Sequence, residues 1–264
     1  MPDTAPRLPI SLLFKSIVLR TALGTPAARL RWPLGAAQRF RHPELWELYL
    51  EERRLPVVLS KLLAHDSCAV DVGAHVGSFL KLLLKYAPEG QHSAFEASPT
   101  KARWLQTGFP KVKVFPVAVS STSGVAVFHE DYARPGFSSL SGDNHSTSSV
   151  SYEVQTQTLD EALGDVNRLD LIKLDIEGAE LDALHGAVGL IERFRPGIIF
   201  ECGTEYQSSR SDLFDFLTKK LGYNIFNFTD FLFDKGEMSF DEFRKCGIYP
   251  FRGFNFIARP RSGR

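Results

Sequence analysis

Cysteine is scarce and scattered: Cys68, Cys202 and Cys246 are the only three in 264 residues, and no two form a CxxC pair. That spacing offers neither a thiolate zinc site nor a disulfide framework, and it predicts a reducing, cytoplasmic setting. Net charge is absent as well, since 31 Lys and Arg balance 31 Asp and Glu. No global field therefore draws the chain onto nucleic acid, and no nucleic-acid partner is expected. No apolar run reaches the roughly 20 residues that cross a bilayer. The apolar stretch 9–24 is interrupted by Lys15 and Arg20, so neither a membrane span nor a signal peptide is expected. Internal repeats are missing, and so is a linker long enough to argue for a second independent domain.

What is present divides the chain at about residue 65. Residues 1–65 are arginine-rich, are acid-poor until Glu44, and space their leucines helically over 43–50 and 55–64, which predicts an N-terminal helical extension. Its basic segment 20–41, with Trp32 and Phe40, offers a weak contact to a membrane surface or a partner; a packed or frayed arm is the simpler expectation. From residue 66 to 264, short apolar runs alternate with helical segments, the pattern of an α/β domain built on a parallel sheet. Strands are expected at 68–72, 93–96, 112–117, 169–175, 197–201, 223–228 and 254–258, and helices at 78–86, 99–108, 179–194 and 211–221. Two shorter strands, 126–129 and 152–156, flank the Ser-, Gly- and Asn-rich stretch 131–149, which predicts a long loop of the kind that serves as a lid or binding segment.

Three constellations bear on chemistry. The first is Asp71-Val72-Gly73-Ala74-His75-Val76-Gly77, a strand running into a glycine turn and then a helix. Gly73 and Gly77 lack a Cβ and let a ligand approach the backbone, but the spacing is GxxxG rather than the GxGxxG of a pyrophosphate site. Structural βα turns use glycine too. The second is Glu96, at the end of the next strand and 23 residues beyond Gly73, where a carboxylate accepts hydrogen bonds from a ribose diol. The Ser98-Pro99 pair after it starts a helix. The third runs from Asp170 to Glu180. Alternation puts Lys173 and Asp175 on one face of a buried strand, with Asp175 at its carboxyl end and Glu177 on the following loop. Lys173 and Asp175 can simply neutralise one another, yet open α/β sheets bind their ligands at this end, which favours a functional reading.

Taken together and in order, these segments resemble the FkbM-type methyltransferases. The likeness runs from about Val70 to Arg259 and also takes in Val117-Ala118-Val119-Ser120, Ser138-Ser139-Leu140, Thr158-Leu159-Asp160 and residues 196–201. The resemblance implies a class I, Rossmann-like, seven-stranded and mostly parallel sheet, with S-adenosyl-L-methionine as cofactor. It implies that Asp71, Gly73, Ala74 and Gly77 surround the methionine part, that Glu96 holds the ribose hydroxyls, that Ala118 lies near the adenine, and that Asp175 and Glu177 face the methyl-transfer site, with Asp175 also counted among the cofactor-binding residues. It further implies O-methylation of a hydroxyl on a sugar, polyketide or other small metabolite.

An alcohol acceptor needs a base. The candidates are Asp175, Glu177, Glu201, His145 and Lys173, with Asp175 or Glu177 preferred. An alternative is that Asp175, Glu177 and Glu201 gather a divalent metal, although none is expected. His75, inside the glycine turn, and His145, in the suspected lid, have duller roles in packing and solvation. The many phenylalanines after residue 194 suit a core, and those at 229–249 remain candidates for an acceptor pocket. Two rivals share the strand, turn and ribose acid: a nicotinamide-dependent oxidoreductase, and a cofactor-binding scaffold without catalysis. The oligomeric state is not legible.

Overall fold

The computed structural model describes residues 36–131, 149–204 and 210–261. In chain order these form α1 (Ala36–Arg41), a 3₁₀ turn (Pro43–Leu45), α2 (Trp46–Leu62), β1 (Ala69–Val72), α3 (Ser78–Tyr86), β2 (His92–Phe95), α4 (Pro99–Gly108) and β3 (Val112–Phe115). Next come β4 (Ala118–Val119), β5 (Gly124–Asp131), β6 (Ser149–Gln157), α5 (Leu159–Ala162), β7 (Leu171–Leu174), α6 (Glu180–His185), α7 (Val188–Phe194) and β8 (Gly197–Glu201). The rest is α8 (Arg210–Asp215) continuing into a π turn (Phe216–Lys220), β9 (Tyr223–Asn227), α9 (Phe228–Leu232), α10 (Phe240–Cys246) and β10 (Asn255–Pro260).

Seven strands make one sheet in the order β3-β2-β1-β7-β8-β10-β9, parallel except for β10, which runs antiparallel to both neighbours. This is the Rossmann-like α/β sheet expected. β1 and β7 are buried at every position because helices cover both faces, which is why they read as apolar runs broken only by Asp71 and Lys173. Alternate residues serve opposite layers. Val70, Val72, Ile172 and Leu174 join Leu184, Ile191 and Leu217 on one side; Ala69 and Leu171 join Leu59, Leu80, Leu83 and Leu105 on the other. By the same alternation Asp71 and Lys173, paired in register across β1 and β7, share a face with the second layer. The chain leaves β1 towards β2 on one side and β7 lies on the other, so the order reverses between β1 and β7, the crevice where such sheets bind ligands.

The helical lead-in differs from its expected two pieces. Pro56 lies inside a single helix α2 and does not break it. An interior proline costs roughly 3 kcal/mol, but Val58 and Leu59 of the same helix are completely buried, and two such side chains return roughly 3–6 kcal/mol. The helix is also fastened by its polar groups. Glu51 accepts hydrogen bonds from the backbone N–H groups of Phe254 (2.9 Å) and Asn255 (3.0 Å), and the Lys61 ammonium donates to the Leu232 carbonyl (3.0 Å).

Other differences have local causes. The helix expected over 179–194 splits into α6 and α7 at Gly186, whose missing Cβ leaves room for the Ser120 carbonyl. The stretch 229–249, read as irregular, contains most of α9 and all of α10; Asn227 caps the first, and Ser239 with Glu242 forms a capping box on the second. β4, β6 and β5 form a second, three-stranded sheet whose last two strands are longer than expected. Of the expected loop 131–149, Asp131 ends β5 and Ser149 begins β6, while 132–148, with His145 and Ser138-Ser139-Leu140, fall outside the described residues, as does most of the basic segment 20–41.

Candidate functional site

The glycine turn connects β1 to α3 and is bound to β2: the N–H groups of Gly73 and Ala74 both donate to the Phe95 carbonyl, at 3.0 and 3.1 Å. Gly73 (φ +78°) and Gly77 (φ +87°) occupy left-handed backbone that favours glycine. A Cβ on Gly73 would strike the Asp175 carbonyl oxygen, and one on Gly77 would strike the Phe109 ring. Packing of the chain against itself therefore requires both glycines, and the turn alone identifies no ligand. His75 also has positive φ (+51°), and its backbone N–H donates to Glu96 (2.7 Å).

Glu96 follows β2 and is 5% exposed. Its second oxygen accepts from the Ser98 N–H at 2.9 Å, so one carboxylate joins the glycine turn to the start of α4. Burial pushes its pKa above the ordinary carboxylate value, against the pull of Lys101 and the two N–H groups. Ala97 and Tyr152 pack on a small cluster of Ala118, Phe128 and Val154, which puts Ala118 beside this corner.

Across the crevice, the Lys173 ammonium lies 3.2 Å from Asp71, 3.1 Å from Asp175 and 3.4 Å from the Gly73 carbonyl, over the face of Phe79. Asp71 is fully buried, and neither of its oxygens has a hydrogen bond apart from this ion pair; burial raises its pKa and Lys173 opposes the rise. Burial disfavours the ammonium, but Asp175 and Asp71 outweigh it and hold Lys173 charged. Asp175 keeps 36% side-chain exposure, the open member of the group. Burial acts to raise its pKa, yet Lys173, a hydrogen bond with Glu201 and the nearby His75 together bring it below the ordinary range. Glu201, at the end of β8, moves strongly the other way, through burial and then through Asp175.

Glu177 sits on the loop with φ +54°. Glu180 holds it there by accepting from the N–H groups of Ile176 and Gly178, each at 3.0 Å; burial pushes the Glu180 carboxyl up to about 7. This clamp was not assigned from the sequence, although Glu180 stands in the same acidic motif. The structure thus brings Asp71, Gly73, Lys173, Asp175 and Glu201 together, with Glu96 and Ala118 beyond the turn. Among the described residues no three His, Cys, Asp or Glu side chains are grouped to hold a metal ion. Thr158 and Asp160 serve elsewhere: Thr158 caps α5, while Asp160 accepts from Gly189 (2.9 Å) and Leu190 (2.8 Å) at the start of α7.

A family model described as "Methyltransferase FkbM domain" matches residues 71–225, more than half of the chain, and spans every part of this site. The chain belongs to the FkbM methyltransferase family. The FkbM chain is thereby a member of the S-adenosylmethionine-dependent methyltransferases, and the nicotinamide reading loses its support. Among solved structures it is similar to the methyltransferase FkbM of Methylobacillus flagellatus KT, at 18% identity and a TM-score of 0.47, over 76% of this chain and 47% of that one. The chain thus spans about half the length of that protein. It is also similar to a precorrin-6y C5,15-methyltransferase of Geobacter metallireducens GS-15 (17%, TM-score 0.41, 66% of this chain and 73% of that). A third likeness is to the plantazolicin methyltransferase BpumL in complex with SAH (11%, TM-score 0.42, 95% and 97%). No curated protein matches the sequence. No helix among the described residues is long and apolar enough to cross a membrane.

The site suits the family's cofactor. Its buried carboxylates complement a cationic sulfonium and ammonium, and Glu96 suits a ribose diol.

Proposed function

We propose that this FkbM-domain protein catalyses O-methylation of a hydroxyl on a small metabolite, sugar or polyketide-like acceptor. The single observation that carries the reading is Asp175: a partly exposed carboxylate at the switch point, 3.1 Å from the Lys173 ammonium, which holds its pKa down, and beside Glu201, whose carboxyl is pushed the other way. When bound, S-adenosylmethionine supplies an electrophilic methyl group for in-line displacement. The chain's own residues orient the nucleophile and take its proton.

Asp71, Gly73, Ala74 and Gly77 surround the methionine part, Glu96 accepts from the ribose hydroxyls, and Ala118 lines the adenine side. Asp175 accepts a hydrogen bond from the acceptor hydroxyl and so aligns its lone pair. A carboxylate below the ordinary range is a weak base, but the hydroxyl oxygen gains positive charge as the new bond forms and its proton becomes acidic. Transfer to Asp175 then completes late in the step. Lys173, committed to Asp71, Asp175 and the Gly73 carbonyl, positions Asp175 instead of acting as a base. Glu177, held by the Glu180 clamp, faces the acceptor side. No metal is required by this scheme.

The test is transfer of label from methyl-labelled S-adenosylmethionine into metabolite extracts, with the product characterised by its bond type. Label in a methyl ether is expected. Label only on nitrogen or carbon would overturn the O-methylation reading while leaving family membership intact.

A further inference from the structure

Lys101 occupies the third position of α4, within the first turn of the helix. Helical preference argues against a lysine there: the positive end of the helix dipole repels a cation, and this position commonly carries Glu or Gln in a capping box. Lys101 is moreover 2% exposed, and a buried ammonium is costly unless paired. Its partner comes from the second sheet. Glu130 of β5, 4% exposed, lies 3.2 Å from the Lys101 nitrogen and also accepts the Tyr152 hydroxyl of β6 at 2.7 Å. The three side chains bridge α4 to the small sheet directly behind Glu96, and Tyr152 also packs on the Ala118 cluster.

We propose that Lys101 is a positioning residue for cofactor binding: anchored on Glu130, it fixes the small sheet against α4 and holds the Glu96 corner ready for the ribose hydroxyls. The proposal rests on the S-adenosylmethionine reading of the site. Electrostatics act in the same sense. Burial and Glu130 push Glu96 towards its protonated form, while Lys101 and the N–H groups of Ser98 and His75 pull it towards the carboxylate that accepts from a diol. Loss of the ammonium removes the largest influence that draws Glu96 towards the carboxylate.

The test measures S-adenosylhomocysteine binding by calorimetry between pH 6 and 8, alongside melting temperature, for wild type, Lys101→Arg, Lys101→Met and the double variant Lys101→Met/Glu130→Gln. Removing both charges relieves the burial cost of an unpaired Glu130, and the side-chain amide that replaces the carboxylate keeps an oxygen for the Tyr152 hydroxyl, so the double variant should melt near wild type. Its affinity should nevertheless be at least about tenfold weaker, a change of about 1.4 kcal/mol, and should fall more steeply than wild type as the pH drops. Lys101→Arg should retain most of the affinity. Wild-type affinity and pH response in the folded double variant would reduce the pair to a structural strut and overturn the proposal. If wild type itself binds no S-adenosylhomocysteine, the cofactor reading falls, and the proposal falls with it.

Discussion

Lys173 and Asp71 are neighbours on adjacent strands, and the ammonium is the one counter-charge within 3.2 Å of the fully buried Asp71 among the described residues. Lys173→Met would leave Asp71 without a counter-charge, which for a broken buried pair costs about 3–5 kcal/mol. Asp71 would then keep its proton in the folded state to a higher pH than in the unfolded chain. The variant's extra instability should therefore be small near pH 3, below the unfolded aspartate value of 3.8, and should grow as the pH rises; urea unfolding at several pH values would check this. Asp175→Asn separates chemistry from binding. Turnover should fall by about 10²–10⁴-fold, the usual contribution of a positioned base, with S-adenosylhomocysteine affinity within about threefold of wild type. Steady-state kinetics paired with calorimetry reads both. The positions of Asp71, Lys173 and Asp175 are legible in the sequence because charged residues interrupt otherwise apolar strands. The pairing of Glu201 with Asp175 and the Glu180 clamp are not, since each depends on neighbours brought in by the fold.

At the scale of elements, α2 is fastened to β10 by Glu51. Burial pushes this carboxyl up to about 7, against the three hydrogen bonds it accepts from Phe254 and Asn255 and the attraction of Arg54. A carboxyl whose folded pKa is raised binds more protons in the folded chain, so its contribution to stability is full at or below the unfolded value of 4.5 and is lost as the pH rises towards 7. Glu51→Gln keeps an oxygen for the two backbone donors and removes the titration. Its melting temperature should decline less than that of wild type between pH 5 and 8. Glu51→Ala strands those donors and should lower stability by about 1–3 kcal/mol near pH 5, a difference that narrows as the pH rises towards 7 and the wild-type contribution is lost. The strands are legible because two-sided burial writes itself as apolar runs. α9 and α10 escape a sequence reading where closely spaced phenylalanines hide the helical period, although Ser239-Phe240-Asp241-Glu242 carries the cap of α10 in plain sight.

For the molecule as a whole, the order of the seven strands sets one crevice between β1 and β7, and the stretch that matches the family model contains both of its walls. The glycine turn draws attention in the sequence, yet self-packing against Asp175 and Phe109 accounts for it. The functional assignment stands instead on the carboxylates gathered around it, with Glu96 on one side and Asp71 and Asp175 on the other. The most direct measurement is thermal stability of the purified chain with S-adenosylhomocysteine or NADH, each at about 100 times a micromolar dissociation constant. A ligand that binds only the folded state adds about 2.7 kcal/mol at that ratio. Stabilisation by S-adenosylhomocysteine, greatly reduced in Glu96→Ala, and none by NADH is the expected result; stabilisation by NADH alone would contradict it.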